Sequence, residues 1–243
     1  MLKIENRYGL NLMRFDELNE LYGIKNYKIK EFEEVMKRYP EVCTYGVLSS
    51  SYSQSSLIVA SLCKKYNKKA IVYYMKRTKI IEDAENMGAE TIKLNVTRLA
   101  IGTGVAKKMF GDKGAFISTG TNNNEEIYKT VSADAKKYLK DLNNKRIHIN
   151  VGSGMTFFSL LTGLITIGVY PKFSVYETAM EVKYSKYSIT NYFDITKYKM
   201  PYKYEEEIVF DEFNKIYDAK MFKYMFDNKT YENGDYVVVI GSE

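Results

Sequence analysis

The chain has 243 residues, 45% hydrophobic and 27% charged, which is typical of a globular protein with one large or two small domains. The 36 basic and 30 acidic residues give a net charge of +6, which suits anionic ligands. The chain has a single histidine, which argues against a His-based metal site and against a Ser-His-Asp triad. No apolar run approaches the roughly 20 residues of a membrane span.

Short apolar runs alternate with amphipathic segments of helical length through the first two-thirds of the chain. The predicted strands are 42–48, 70–75, 90–96, 114–119 and 146–152, and the predicted helices are 53–67, 76–88, 97–110 and 124–144. This alternation indicates a parallel sheet with helices on its faces, so the predicted fold class is α/β. The last third is rich in tyrosine and lysine, has breakers at Pro171 and Pro201, and ends in a predicted strand at 235–241.

Three lysines fall within six positions of "YGIKNYKIKEF", residues 22–32: Lys25, Lys28 and Lys30. On general grounds they form a solvated basic face, because lysine is usually exposed. A lysine that reaches the carboxyl edge of a parallel sheet could instead form a Schiff base with a cofactor.

Polar residues follow the strand predicted at 42–48. Ser49, Ser50, Ser51 and Ser53 stand at the start of an apolar helix. One serine is enough to cap a helix, and the surplus of hydroxyls near a positive helix end suits a substrate carboxylate. A capped helix with polar neighbours explains the same residues.

A glycine turn follows the strand predicted at 146–152. Gly152-Ser153-Gly154 leads directly into an apolar helix-like run, and Ser153 and Thr156 add hydroxyl donors. Glycines allow a sharp turn, and the N–H groups at a helix start bind negative charge. The segment is a candidate phosphate loop, and a strand–helix turn without a ligand is the alternative.

The order of these motifs resembles the fold type II, tryptophan-synthase-β-like, pyridoxal-phosphate enzymes. The resemblance is nearest to the aminocyclopropane-carboxylate deaminase and D-cysteine desulfhydrase branch and covers residues from about 10 to 165. The motifs that carry it are "MRFDEL" (13–18), "YGIKNYKIKEF" (22–32), "YGVLSSSYSQ" (45–54), "MGAETIKLN" (87–95) and "GSGMT" (152–156).

The resemblance implies two open, mostly parallel sheets flanked by helices, with a shortened C-terminal part. It also implies a larger cofactor-binding domain made of residues 1–35 and 125–243, and a smaller α/β domain at 36–124. The implied cofactor is pyridoxal 5'-phosphate, and a homodimer is expected from the same family.

Site residues follow from the resemblance by position. "GIKNYK" matches the family's "GNKxRK", so Lys25 is the implied Schiff-base lysine and α-proton base, and Ser49 falls on the catalytic serine of the substrate loop. The implied cofactor-binding residues are Lys25, Ser50, Gly152, Ser153, Gly154, Met155, Thr156 and Ser242, and the implied substrate-binding residues are Ser49, Ser50, Ser51, Tyr52 and Ser53. The chain departs from the family at Ser50, where asparagine is usual, and at Met155, where glycine is usual.

The implied reaction is α,β-elimination or β-replacement on a small amino acid or a derivative. The resemblance also implies a hydroxyl or carboxylate that faces the ring nitrogen of the cofactor, and Ser242 and Glu243, just after the last predicted strand, are the residues placed for that role. If Ser242 meets the ring nitrogen, that nitrogen can stay unprotonated. Two alternatives remain open: a diverged enzyme that modifies an amino-acid-bearing nucleotide or nucleic acid, and a non-catalytic binding or partner protein. Nucleic-acid binding is the less favoured partner prediction, because no Arg/Lys cluster interleaves with aromatic residues.

The remaining features predict ordinary structural roles. Cys43 and Cys63 have apolar neighbours and no metal-type spacing, so both are expected to be reduced core residues. The N-terminus has no continuous apolar core and no evident signal peptide, so the expected location is the cytoplasm. His148 lies in a predicted buried strand and is expected to be a hydrogen-bonded core residue.

Overall fold

The computed structural model describes residues 1–49, 53–117, 125–152, 154–177, 188–200 and 218–242. The strands in these ranges are β1 (Ile4–Arg7), β2 (Leu10–Arg14), β3 (Glu20–Leu21), β4 (Ile24–Asn26), β5 (Thr44–Ser49), β6 (Lys69–Tyr74), β7 (Glu90–Lys93), β8 (Ala115–Ile117), β9 (Arg146–Val151), β10 (Lys172–Glu177), β11 (Ile195–Lys199), β12 (Tyr236–Val239) and β13 (Gly241–Ser242). The α-helices are α1 (Lys28–Arg38), α2 (Ser55–Lys65), α3 (Lys79–Asn86), α4 (Leu99–Phe110), α5 (Glu125–Tyr138), α6 (Met155–Ile165) and α7 (Asp218–Asn228), and 3-10 helices span Asp16–Leu18 and Ser188–Tyr192.

The chain separates into two compact units. Unit 1 contains Met1–Glu20, Ile24–Tyr27 and Asn122–Glu243, and unit 2 contains Leu21–Gly23 and Lys28–Thr121. Helix α1 therefore belongs to unit 2, whereas the sequence-based boundary was drawn after residue 35.

Unit 2 is built on a four-stranded parallel sheet in the order β7-β6-β5-β8. Strands β5 and β6 are buried along almost their whole length, which is why they appear in the sequence as continuous apolar runs. Gly46 allows α4 to pack closely on β5, because a Cβ there would lie 2.6 Å from the Phe110 ring. The core between them consists of Leu48, Ile71, Tyr73, Leu94, Ala106 and Phe110.

Unit 1 is built on a six-stranded sheet in the order β1-β2-β12-β9-β10-β11. Only β1 runs antiparallel to its neighbour in this sheet, and the other pairings are parallel. Helix α7 contributes much of the core on one face, which consists of Leu10, Leu12, Tyr176, Met200, Ala219, Met221, Phe222, Met225, Val237 and Val239.

The predicted α/β class and the mostly parallel sheets are confirmed. The hairpin of β1 and β2 was not predicted from the sequence; its turn residues Tyr8 and Gly9 both have positive φ. Strands β10 and β11 and helix α7 in the last third were not predicted either. None of the helices in the described ranges combines the length and the apolar character of a membrane span.

Candidate functional site

The turn between β9 and α6 in unit 1 has the local structure of an anion-binding loop. Gly154 stands directly before α6 with φ +89 and ψ −10, in the left-handed region. A residue with a Cβ is strained there, so the turn depends on glycine. No described side chain caps the N-terminus of α6, and a helix start of this kind binds phosphate or carboxylate through its backbone N–H groups.

The predicted phosphate-loop residues fall on this turn. Gly152 follows β9, Met155 is the first residue of α6, and Thr156 is half-buried in its first turn, whereas Ser153 lies outside the described residues. The helix behind the turn is held by buried apolar side chains, namely Phe157, Phe158, Leu160, Leu161 and Leu164.

The end of β12 lies at the same sheet edge as this turn. Val238 pairs with Ile149 in the parallel register, so the residues after β12 continue beside the end of β9. Strand β13 then pairs antiparallel with β4, with Ser242 opposite Lys25. The backbone of Ser242 and the half-buried Lys25 therefore lie at the edge that carries the glycine turn.

A buried carboxyl group lies at the junction of β12 and β13. Asp218, the first residue of α7, is 1% exposed, and its Oδ2 accepts the N–H of Ile240 at 3.0 Å and of Gly241 at 2.9 Å. None of the described residues forms a hydrogen bond with its buried Oδ1. Burial raises the pKa of Asp218 to about 7; the two backbone hydrogen bonds and Arg14 oppose the rise, and the negative charge of Asp16 adds to it.

The motif "MRFDEL" forms an ion-pair cluster near this carboxyl group. Arg14 Nε lies 3.0 Å from Asp16 Oδ1, and Arg14 Nη2 lies 2.8 Å from Asp16 Oδ2. The same guanidinium contacts Glu5 at 3.2 Å and Glu17 at 3.3 Å. Three carboxylates therefore share one buried guanidinium.

Hydroxyl groups surround the start of α2 in unit 2. Ser49 Oγ is hydrogen bonded to Ser56 Oγ at 3.0 Å, and Ser53 Oγ to Ser55 Oγ at 2.8 Å. All four residues are buried. Two of the predicted substrate-binding residues, Ser49 and Ser53, thus belong to one cluster, and the other three, Ser50, Ser51 and Tyr52, lie outside the described residues.

Lys28 is a candidate site residue to which the sequence analysis gave no role. It is the first residue of α1, and its Nζ donates to Ser55 Oγ at 3.4 Å. Burial lowers the pKa of Lys28, and Glu31 opposes this effect. A larger fraction of neutral amine is what a lysine nucleophile needs. The sequence contains one signal for this role, a lysine at the start of a helix that directly follows a strand. Three similar lysines occur in this segment, so the sequence alone does not show that the helix begins at Lys28.

His148 is buried and hydrogen bonded through both ring nitrogens, as expected. Nδ1 lies 2.9 Å from Tyr176 Oη, and Nε2 lies 2.9 Å from Asp235 Oδ2. Cys63 is buried, but Cys43 is exposed, which corrects the prediction for Cys43, because β5 begins only at the following residue. No group of three or more potential His, Cys, Asp or Glu metal ligands occurs in the described residues.

No protein-family model matches the sequence, and no curated protein matches it. Solved structures do match the fold. A threonine deaminase from T.th. has a TM-score of 0.71 and 12% identity, over 97% of this chain and 88% of that one. An L-serine ammonia-lyase from the fungus Rhizomucor miehei has a TM-score of 0.71 and 14% identity, over 100% and 92%. An ACC deaminase homologue has a TM-score of 0.71 and 12% identity, over 99% and 89%. These likenesses confirm the predicted fold, that of the fold type II pyridoxal-phosphate enzymes.

Proposed function

We propose that the chain is a pyridoxal-phosphate-dependent lyase that acts on a small amino acid by α,β-elimination or β-replacement. The observation that carries the proposal is the glycine turn at the start of α6, which no described side chain caps, at the sheet edge where β13 pairs with the lysine-bearing strand β4. The fold adds support, because structures named as a threonine deaminase and a serine ammonia-lyase share it.

The residues present fit the cofactor at both of its polar ends. Gly152, Gly154 and Thr156 would hold the phosphate through backbone N–H groups and a hydroxyl, with Ser153 and Met155 as the remaining loop positions. The buried and unpaired Oδ1 of Asp218 would accept a hydrogen bond from a ligand at the same edge. When bound, pyridoxal phosphate supplies an aldehyde that a lysine amine can attach to and a ring that withdraws electrons from the substrate α-carbon.

For the cofactor-binding lysine we propose Lys28 ahead of Lys25. Three observations support Lys28: its place at the start of α1, its contact with Ser55 Oγ and its lowered pKa. The neutral Nζ is able to take a proton from a substrate carbon, which an ammonium group cannot do. Lys25 remains a second candidate, because β4 lies at the edge of the glycine turn.

We also propose that the hydroxyl cluster at the start of α2 binds the substrate carboxylate. Ser49 and Ser53 are already oriented by short hydrogen bonds to Ser56 and Ser55, which limits the entropy lost on binding. Ser50, Ser51 and Tyr52 complete the predicted loop.

The test is to locate the lysine that binds the cofactor. The purified protein is incubated with pyridoxal phosphate, reduced with borohydride and digested, and the modified peptide is identified by mass spectrometry. Lys28→Ala and Lys25→Ala are compared with Lys30→Ala, a control on the same helix as Lys28. We expect the adduct at Lys28, its loss in Lys28→Ala and its retention in Lys30→Ala.

An adduct at Lys25 would reassign the lysine and keep the proposed function. A folded wild-type protein with no specific adduct would contradict the proposed function. With the adduct located, release of an oxoacid from serine, cysteine and their derivatives distinguishes elimination substrates. Homodimer formation and a cytoplasmic location are further proposals, and size-exclusion chromatography with light scattering tests the first.

A further inference from the structure

Asp218 is a buried carboxyl group for which the predicted site had no role. We propose that Asp218, rather than Ser242, meets the ring nitrogen of the cofactor and keeps a proton on that nitrogen. This inference rests on the proposed function and goes beyond it, because it replaces the expected neutral ring with a protonated one.

Two backbone hydrogen bonds fix the position of Asp218. Its Oδ2 accepts the N–H groups of Ile240 and Gly241, at the corner where β12 ends and β13 begins. The parallel register of β12 and β9 puts this corner beside the end of β9, from which the phosphate-loop turn starts. A ligand whose phosphate lies at that turn would therefore extend its ring along the edge that Asp218 borders.

The second oxygen of Asp218 has the properties of a ligand-binding atom. Oδ1 is buried, and no described residue forms a hydrogen bond with it. Leaving a charged oxygen buried and unpaired is unfavourable. A protonated ring nitrogen would supply the missing donor through a charge-assisted hydrogen bond.

The charges around Asp218 also favour a cation. The positive charge of Arg14 acts to lower the pKa of Asp218, but Arg14 already contacts Asp16, Glu5 and Glu17. The Coulombic effect of Asp16 on Asp218 is repulsive. Lys220, on the same helix, is buried and its pKa is lowered, so its positive charge is itself disfavoured. Lys3 pairs with Glu5 and Glu17, so the described cations near Asp218 are already engaged, and a ring nitrogen that carries a proton would give Asp218 a cationic partner of its own.

A hydroxyl group and a carboxylate have different consequences at this position. A serine hydroxyl can donate to a neutral ring nitrogen, so it does not need a proton on the ring. A carboxylate accepts only, so it stabilises the protonated form. Asp218 would thus make the ring a stronger electron acceptor than the predicted Ser242 partner would.

The test measures ring protonation directly. Cofactor enriched in nitrogen-15 at the ring position is bound to wild-type protein, Asp218→Asn and Ser242→Ala, and the nitrogen chemical shift is recorded from pH 6 to pH 9. Asn keeps an oxygen for the N–H groups of Ile240 and Gly241, so it is the conservative variant. We expect a protonated ring nitrogen in the wild type and in Ser242→Ala, and a proton-binding constant lower by about tenfold to a hundredfold in Asp218→Asn.

Two outcomes would overturn the inference while leaving the proposed function intact. One is a neutral ring nitrogen in the cofactor-loaded wild type across this pH range, which needs no variant to fold. The other is a shift that changes in Ser242→Ala and stays unchanged in Asp218→Asn. A wild-type protein that takes up no cofactor would refute the inference and the proposed function together.

Discussion

Replacing Asp218 by asparagine should change how the stability of the cofactor-free protein depends on pH. Burial raises the pKa of Asp218 from 3.8 to about 7, so between these values the folded state holds a proton that the unfolded state has released. The carboxyl group therefore contributes stability at low pH that is lost as the pH rises towards 7. One proton corresponds to about 1.4 kcal/mol per pH unit, and the slope falls as the pH approaches the folded-state pKa, which gives a loss of about 2 kcal/mol between pH 5 and pH 7.

The difference between variant and wild type isolates this effect. His148 contributes with the opposite sign, because burial lowers the pKa of His148 and its neutral form is favoured in the fold. Urea unfolding of wild type and Asp218→Asn at several pH values from 5 to 8 cancels that contribution. We expect the stability of the variant relative to wild type to increase by about 2 kcal/mol from pH 5 to pH 7 and then to level off above pH 7.

The matched control is Asp227→Asn, which alters an exposed carboxylate on the same helix α7. Its unfolding free energy should stay within about 0.5 kcal/mol of the wild type at every pH, because exposed ion pairs contribute little. Stability curves for Asp218→Asn and wild type that run parallel across this range would refute the assigned pKa shift of Asp218.

Two further substitutions test other parts of the structure. Gly154→Ala places a Cβ on a residue with φ +89, so it should lower the unfolding free energy by about 1–2 kcal/mol and weaken cofactor uptake. The control is Gly104→Ala in α4, where an added Cβ meets no other atom. In the same denaturation and uptake assays this control should be neutral or stabilising. Burial alone would raise the pKa of Glu33, but hydrogen bonds from Lys65 and Tyr66 lower it to about 2. Glu33→Gln should therefore lose about 1–2 kcal/mol at pH 7, after allowance for solvent screening, and urea unfolding should show this deficit shrinking as the pH falls from 4.5 towards 2.

The strands and the glycine turn could be predicted because their signals are local. Strands β5 and β6 are buried on both faces, so each one contains a continuous apolar run in the sequence. The turn at Gly154 needs a residue with positive φ between a strand and a helix. Glycine adopts positive φ readily, so a glycine between a predicted strand and a predicted helix is enough to predict the turn.

Strand β10 was missed because polar residues are buried within it. Ser174 and Glu177 lie in the interior with Phe173 and Val175, so the apolar run that marks β5 and β6 is interrupted. Burial of polar side chains depends on tertiary contacts, which a local pattern does not show.

The two proposed site groups, Lys28 and Asp218, depend on packing that no local pattern shows. Lys25, Lys28 and Lys30 are all half-buried, and Lys28 is distinguished by its contact with Ser55, which lies 27 residues along the chain. Asp218 is defined by hydrogen bonds to residues more than 20 positions away. Both interactions follow from tertiary structure, so the sequence offered them only as ordinary charged residues.

Buried ionisable groups in the described residues are of two kinds. Arg14 and Asp16 satisfy each other, and His148 is hydrogen bonded at both nitrogens, so these groups have a sufficient structural explanation. The pKa values of Lys28 and Asp218 are instead shifted towards the neutral forms, chiefly by burial. Such shifts destabilise the ionised group in the free protein and concentrate at functional sites. A ligand that attaches to a neutral amine, or one that donates to a buried carboxylate, would recover part of that free energy on binding.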